Sequence, residues 1–187
     1  MDNLYPWGGE FTTNHLTSPV AVVILNCSYT PPSTVSIHGY LKTENIGIEK
    51  IIANVISNPF IRFIVVCGEE IRGHRSGQSL ISLHQNGIDE NNRIIGAKGA
   101  IPYIENLEKD AVHRFQQQVD MIDLIDTTDE NIIQQEIDML LSRNPGSYGQ
   151  PFIAIRLVSQ TQNTLDDTRA LHGRIIIDYM GRVKKRE

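Results

Sequence analysis

Apolar positions along the 187-residue chain fall into two alternating registers. Val20-Ala21-Val22-Val23-Ile24-Leu25 and Ile61-Arg62-Phe63-Ile64-Val65-Val66-Cys67 are near-continuous β-branched runs. Such runs suit strands buried on both faces of a parallel sheet. Between them, Thr43-Glu44-Asn45 opens a helical pattern. Ile48, Ile51, Ile52, Val55 and Ile56 recur at helical spacing, and Asn58-Pro59 ends it. A second helix is predicted near residues 76–85, stopped by Asn86-Gly87. A third covers 106–118. A fourth covers 129–143, with Ile132, Ile133, Ile137, Leu140 and Leu141 as its stripe and Asn144-Pro145-Gly146 as its break. Further strands are predicted at Arg93-Ile94-Ile95-Gly96, at 119–124 and over 152–158.

This βαβαβ alternation predicts an α/β, Rossmann-like, doubly wound and mostly parallel sheet, with right-handed crossovers and helices on both faces. The tail departs from it. Arg174-Ile175-Ile176-Ile177-Asp178 and Arg182-Val183-Lys184 flank Tyr179-Met180-Gly181, which reads as a small C-terminal β-hairpin at one edge. The expected organisation is a polar, aromatic lead-in over 1–18, an α/β domain over 19–160 and a C-terminal extension over 161–187.

Composition narrows the class. Hydrophobic residues at 40% and charged residues at 21% are ordinary for a soluble globular domain. The net charge of −5 and the lack of a long basic run argue against nucleic-acid binding. The short cluster Arg182-Val183-Lys184-Lys185-Arg186 reads as a solvated tail. Cys27 and Cys67 each end an apolar run and share no metal-ligand spacing, which points to a reduced, cytoplasmic protein. No signal peptide is read at the N-terminus, and no run approaches the ~18–20 apolar residues of a membrane span.

In open α/β sheets, ligands bind outside the carboxyl ends of the strands. The loops to inspect are therefore Asn26-Cys27-Ser28, residues 68–75, residues 96–102 and Asp126-Thr127-Thr128. The second is long, polar and glycine-bearing, and delivers His74 just before a helix. Gly73 and Gly77 remove bulk on either side, which would let a flat macrocycle approach. Neutral imidazole suits cobalt or another transition metal, and its second nitrogen needs an acceptor, for which Glu69 and Glu70 are near in sequence. Two histidines lie in His-x-x-Gly, His74-Arg75-Ser76-Gly77 and His84-Gln85-Asn86-Gly87. The spacing matches part of the Asp-x-His-x-x-Gly signature of cobalamin-binding domains, with Arg72 and Ser82 at the Asp positions. Location favours His74, since His84 falls toward the opposite edge.

The loop Gly96-Ala97-Lys98-Gly99-Ala100-Ile101-Pro102 is similar to phosphate-cradling loops, without being GxGxxG or a Walker motif. With a helix start beyond it, it could line a corrin or its nucleotide tail, or be a tight turn with no ligand. Thr43 reads as a helix cap and Glu44 as an offset to the helix dipole. Asp120, Asp123 and Asp126 read as a solvated edge.

Several stretches resemble the A-subunit of tetrahydromethanopterin S-methyltransferase. They are residues 42–59, Ile61-Arg-Phe-Ile-Val-Val-Cys-Gly, Gly73-His-Arg-Ser-Gly-Gln-Ser, Leu83-His-Gln-Asn-Gly, Ile95-Gly-Ala-Lys-Gly-Ala-Ile-Pro-Tyr-Ile-Glu-Asn and Arg114-Phe-Gln-Gln-Gln-Val. The similarity covers roughly residues 40–126 and weakens toward 146. The resemblance implies a cobamide-binding methyl carrier. It would accept a methyl group on cob(I)amide from methyl-tetrahydromethanopterin and pass it to a thiol such as coenzyme M. Other methyltransferase subunits would be its partners, at the periphery of a membrane complex. It implies that His74 is the catalytic residue and the axial cobalt ligand. The cobamide pocket would draw on Thr43, Glu44, Asn45, Gly68, Gly73, Gly77, Gln78, Ser79, Gly96, Ala97, Lys98, Gly99, Ala100, Ile101 and Pro102. The family's protein ends in a membrane helix, whereas no counterpart is read here, so a soluble homologue is expected and sodium pumping does not carry over. Two other readings stand beside this one, a non-catalytic regulatory or assembly module and a nucleotide-binding α/β enzyme using residues 96–102.

Overall fold

The computed structural model describes residues 4–154, 169–172, 175–178 and 183–185. Two units are distinguished, Met1–Leu157 and Val158–Glu187. Along the first run β1 (Phe11–Thr13), β2 (Val20–Ile24), β3 (Ile37–Tyr40), α1 (Ile46–Ser57), β4 (Phe63–Gly68), α2 (Ser76–Asn86), α3 (Lys109–Gln118), β5 (Asp120–Ile125) and α4 (Glu130–Arg143). In the second, β6 (Arg169–His172), β7 (Ile175–Asp178) and β8 (Val183–Lys185) form an antiparallel sheet of their own. The expected hairpin is thus joined by a third strand.

The two apolar runs make the centre of the first unit. β2 and β4 pair in parallel, and every residue of both is buried. The pleat sends their side chains alternately into two cores. Ala21, Val23, Ile64 and Val66 pack with α1, α2 and α3 on one face. Val20, Val22, Phe63, Val65 and Cys67 pack with Ile133, Ile137 and Leu140 of α4 on the other. Each fully buried isoleucine here contributes roughly 1.5–3 kcal/mol of transfer free energy. The α/β sheet with helices on both faces is as the periodicity predicts.

Strand order is β1-β3-β2-β4-β5, with β1 antiparallel to β3 and all other pairs parallel. The chain steps from β2 to β3 on one side, then crosses to β4 on the other. That reversal is the switch point at which doubly wound sheets bind ligands. The carboxyl ends of β3 and β4 flank it, and the loops from those ends carry Glu44 and His74.

Three expectations change. Arg93 to Gly96 is not a strand; Ile94 and Arg93 make isolated bridges to Ile88 and Tyr103. Only Ile94 of the four is buried, so nothing favours a longer ladder. β1 and β3 carry too few apolar residues to be read from pattern, yet they complete the sheet. Residues 152–154 are not in a strand, although Phe152 N–H donates to Ile56 O at 2.9 Å; residues 155–158 of that expected strand lie outside the described residues.

The end of α1 is secured by a buried amide. Gln118 Nε2 donates to the carbonyls of Val55 and Asn58, both at 3.0 Å, and to that of Ile61 at 3.1 Å. These carbonyls sit where a helix runs out of internal donors. Gln118→Leu keeps the volume and removes the donor. It is expected to lower unfolding free energy by about 1–3 kcal/mol in urea titrations. An unchanged midpoint would contradict this role.

Candidate functional site

Glu44 follows β3, on the lead into α1. Its neighbours do the capping expected there: Thr43 Oγ1 accepts from Gly47 N–H at 3.1 Å, and Asn45 Oδ1 accepts from Ile46 N–H at 2.7 Å. Glu44 itself turns inward and is 2% exposed. A buried carboxylate must find donors or give up its charge. Glu44 finds two on separate oxygens. Oε2 lies 2.7 Å from His74 Nδ1, and Oε1 accepts from Ile101 N–H at 2.7 Å. Burial pushes the carboxyl up, but the amides of Ile101 and Glu44 and the His74 ring outweigh it, and the group rests below its usual range.

The ring of His74 is opposite in character. Its side chain is 52% exposed, and among the described residues only Glu44 bonds it. An ionised carboxylate accepts and cannot donate, so Nδ1 carries the proton. In the neutral ring the lone pair then sits on Nε2, facing away from Glu44. The acceptor for the second ring nitrogen is therefore Glu44, not Glu69 or Glu70. Sequence proximity misled there, because the partner lies 30 residues away, beyond the end of β3, with β2 between that strand and β4.

Glu70 has other work. Its carboxylate accepts from Ile71 N–H at 2.9 Å, Gly77 N–H at 3.1 Å and Gln78 N–H at 2.7 Å. It thereby caps α2, since Arg75 at the N-cap supplies no side-chain bond. Asp126 Oδ1 in turn accepts from Glu70 N–H at 2.9 Å. The backbone around His74 is bent to present it: Gly73 has φ +84° and Arg75 φ +46°. A Cβ at Gly73 would meet nothing within 4 Å, so that side of the loop is open. At Gly77 a Cβ would collide with Leu25 Cδ1 at 2.6 Å, so its small size serves helix–sheet packing.

Residues 96–102 come to the same place. Gly99 is buried against Glu44, Ser79 and the His74 carbonyl, with no room for a Cβ. Gln78 holds this loop twice, accepting from Lys98 N–H at 2.9 Å and donating to Gly96 O at 3.1 Å. Glu44, His74, Gln78, Ser79, Gly96, Lys98, Gly99 and Ile101 thus converge. Thr43 and Asn45 face the first turn of α1, Ala100 is exposed, Ala97 packs partly on the core, and Pro102 O accepts from Ile94 N–H at the loop base. Gly68 is buried at the end of β4, against Cys27. No helix starts directly beyond the loop, since α3 begins at Lys109. The N-terminal amides of α2 are taken by Glu70, so neither helix offers a phosphate cradle there.

His84, the other His-x-x-Gly histidine, is engaged within the fold. Its Nε2 pairs with Val119 O at 2.7 Å, and its ring packs edge-on against Phe115 at 5.9 Å. Val119 directly precedes β5, at the amino edge of the sheet. Asp120 and Asp123 are exposed on β5.

The first unit is thus a doubly wound α/β domain that presents one oriented histidine at its switch point. The family model for the A-subunit of tetrahydromethanopterin S-methyltransferase matches residues 3–165, and the chain belongs to that family. The A-subunit of Methanosarcina barkeri is 47% identical over 152 residues, 78% of this chain and 62% of that protein. The first of two A-subunits of Methanobrevibacter ruminantium is 42% identical over 160 residues, 83% of this chain and 65% of that protein. The second A-subunit of Methanothermobacter marburgensis is 43% identical over 153 residues, 79% of this chain and 82% of that protein. The chain therefore spans under two thirds of the length of the first two relatives. Among the described residues no helix is long and apolar enough to cross a membrane.

The Glu44 bond makes a testable demand on the ring. In Glu44→Gln, the amide oxygen can satisfy Ile101 N–H, which leaves the NH2 facing Nδ1. Nδ1 must then accept, and the proton moves to Nε2. Nitrogen-resolved NMR should find wild-type His74 as the Nδ1–H tautomer and the variant as Nε2–H. The same tautomer in both would contradict the orienting role.

Proposed function

We propose that this chain is a cobamide-binding methyl carrier of a methyltransferase system, with His74 Nε2 as the axial ligand to cobalt. The observation that carries the reading is the half-exposed ring of His74, fixed by a buried carboxylate so that Nε2 points outward. Among the described residues no three His, Cys, Asp or Glu side chains cluster to hold a metal ion. A lone imidazole is a poor site for a free ion. It fits a metal already held by a macrocycle, which needs one axial donor. The open side at Gly73 leaves the approach clear.

Bound here, a corrinoid would supply the methyl-transfer chemistry between a methyl-tetrahydromethanopterin donor and a thiol such as coenzyme M. The chain's own residues bind and orient. Glu44 keeps the proton on Nδ1, which makes Nε2 a better donor and lets it bind and leave without a proton being lost. Gln78 and Glu44 fasten residues 96–102 at the rim of the site, and Thr43, Asn45, Gly68, Gly73 and Gly77 shape the surrounding backbone. The protein acts in the cytoplasm with other methyltransferase subunits, at the face of a membrane complex. The family membership supports this reading.

Purified protein mixed with hydroxocobalamin should co-elute with corrinoid absorbance. His74→Ala should shift that spectrum, and Glu44→Gln should weaken binding about 10–100-fold. His84→Ala should lose stability and leave the spectrum unchanged. A spectrum that responds to His84→Ala instead of His74→Ala would move the ligand. No binding at all would sink the cofactor and favour a non-catalytic assembly role.

A further inference from the structure

The loop formed by residues 95–101 is closed at its neck and held above it mainly by polar contacts. Ile94 N–H donates to Pro102 O at 2.9 Å, and Arg93 bridges to Tyr103. Ile94 and Ile104 anchor the neck in the core. Between these anchors, Ile95 and Ile101 are 45% and 58% exposed, so little apolar burial holds the strap down. Polar bonds do instead: Ile95 N–H to Gly87 O at 3.1 Å, Gln78 to Gly96 and Lys98, Asn86 Nδ2 to Ile95 O at 3.1 Å, and Glu44 to Ile101. Polar bonds of this kind, unlike buried apolar packing, can be exchanged for bonds to a ligand.

Gly99 is where the strap presses inward. Directly beneath it lies Ser79, fully buried on the first turn of α2. Ser79 Oγ is the one buried side-chain polar atom, among the described residues, without a hydrogen-bond partner. A helical serine can usually bond the carbonyl four residues back, and this one does not. An idle buried hydroxyl is destabilising, and it calls for a partner that another state supplies.

We propose that Ser79 is a binding residue concealed by the strap, and that residues 95–101 lift on ligand binding so that Ser79 Oγ bonds an uncharged carboxamide at the rim of the corrinoid. This rests on the cobamide reading above. The surroundings select the chemistry. Glu44 and the His74 carbonyl both adjoin the slot, so an anion such as phosphate is repelled. An amide offers an N–H to these acceptors and a carbonyl to the serine hydroxyl. Ser79 also stands five residues beyond His74, within reach of the rim of a ring ligated there.

Two measurements on the full chain test this. Ser79→Ala removes the idle hydroxyl, so the ligand-free variant should melt about 2–4 °C higher. It should bind hydroxocobalamin about three- to tenfold more weakly, with the His74-dependent spectrum retained. In wild type, adding hydroxocobalamin should speed hydrogen exchange at the amides of Lys98 and Ile101. Unchanged affinity, a lower melting point in the variant, or slower exchange at those amides would each overturn the proposal. Failure of wild type to bind hydroxocobalamin would instead overturn the parent reading, and is seen before any variant is made.

Discussion

The carboxylate of Glu44 is the constraint on which the site depends. A charge taken out of water must be compensated where it stands, and the cost of leaving it alone is several kcal/mol. Glu44 meets that demand with donors from two different loops, the ring of His74 and the amide of Ile101. One buried group therefore ties the approach to α1, the loop after β4 and the strap over 95–101 into a single unit. None of these segments carries much apolar burial of its own around the site. Their arrangement is electrostatic and directional, and so it is specific in a way that hydrophobic packing is not.

The rest of the fold serves that junction. β2 and β4, buried on both faces, fix the carboxyl edge where the loops emerge. Glu70 secures the start of α2 and so sets the height at which His74 stands. The other reactive groups at this edge are muted. Burial pushes the Cys67 thiol up to about 12 and raises that of Cys27 as well, so neither is a ready thiolate at neutral pH. The imidazole of His74 stands half exposed at the switch point, with its proton assigned to Nδ1. A lone imidazole is too little to hold a bare ion and enough to complete the coordination of one carried in a macrocycle.

Much of the scaffold was legible in the sequence, because deep burial writes itself as pattern. The runs at 20–25 and 61–67 and the stripes of α1 and α4 each mark a surface in contact with core. β1 and β3 were not legible. Phe11-Thr12-Thr13 and Ile37-His38-Gly39-Tyr40 lie at the sheet margin, where half-exposed positions carry no periodic signal. His74 could be singled out from its loop and spacing. Its partner could not, since nothing in a linear reading distinguishes a glutamate that caps a helix from one that turns inward beside it. Glu70 was misread for the same reason: nearness in sequence suggested a bond to the ring, whereas its carboxylate folds over the helix start. The unpaired hydroxyl of Ser79 is likewise a fact of packing that composition does not announce.

Whether a protein nitrogen is bound to cobalt can be read directly. Chain labelled with nitrogen-15 in its histidines alone, loaded with corrinoid and held in the paramagnetic Co(II) state, should show each parallel cobalt line split into a doublet by one axial nitrogen-15. The splitting should vanish in His74→Ala. A triplet in the labelled protein, which marks the cofactor's own unlabelled base on cobalt, or a doublet that survives in His74→Ala, would contradict His74 as the ligand.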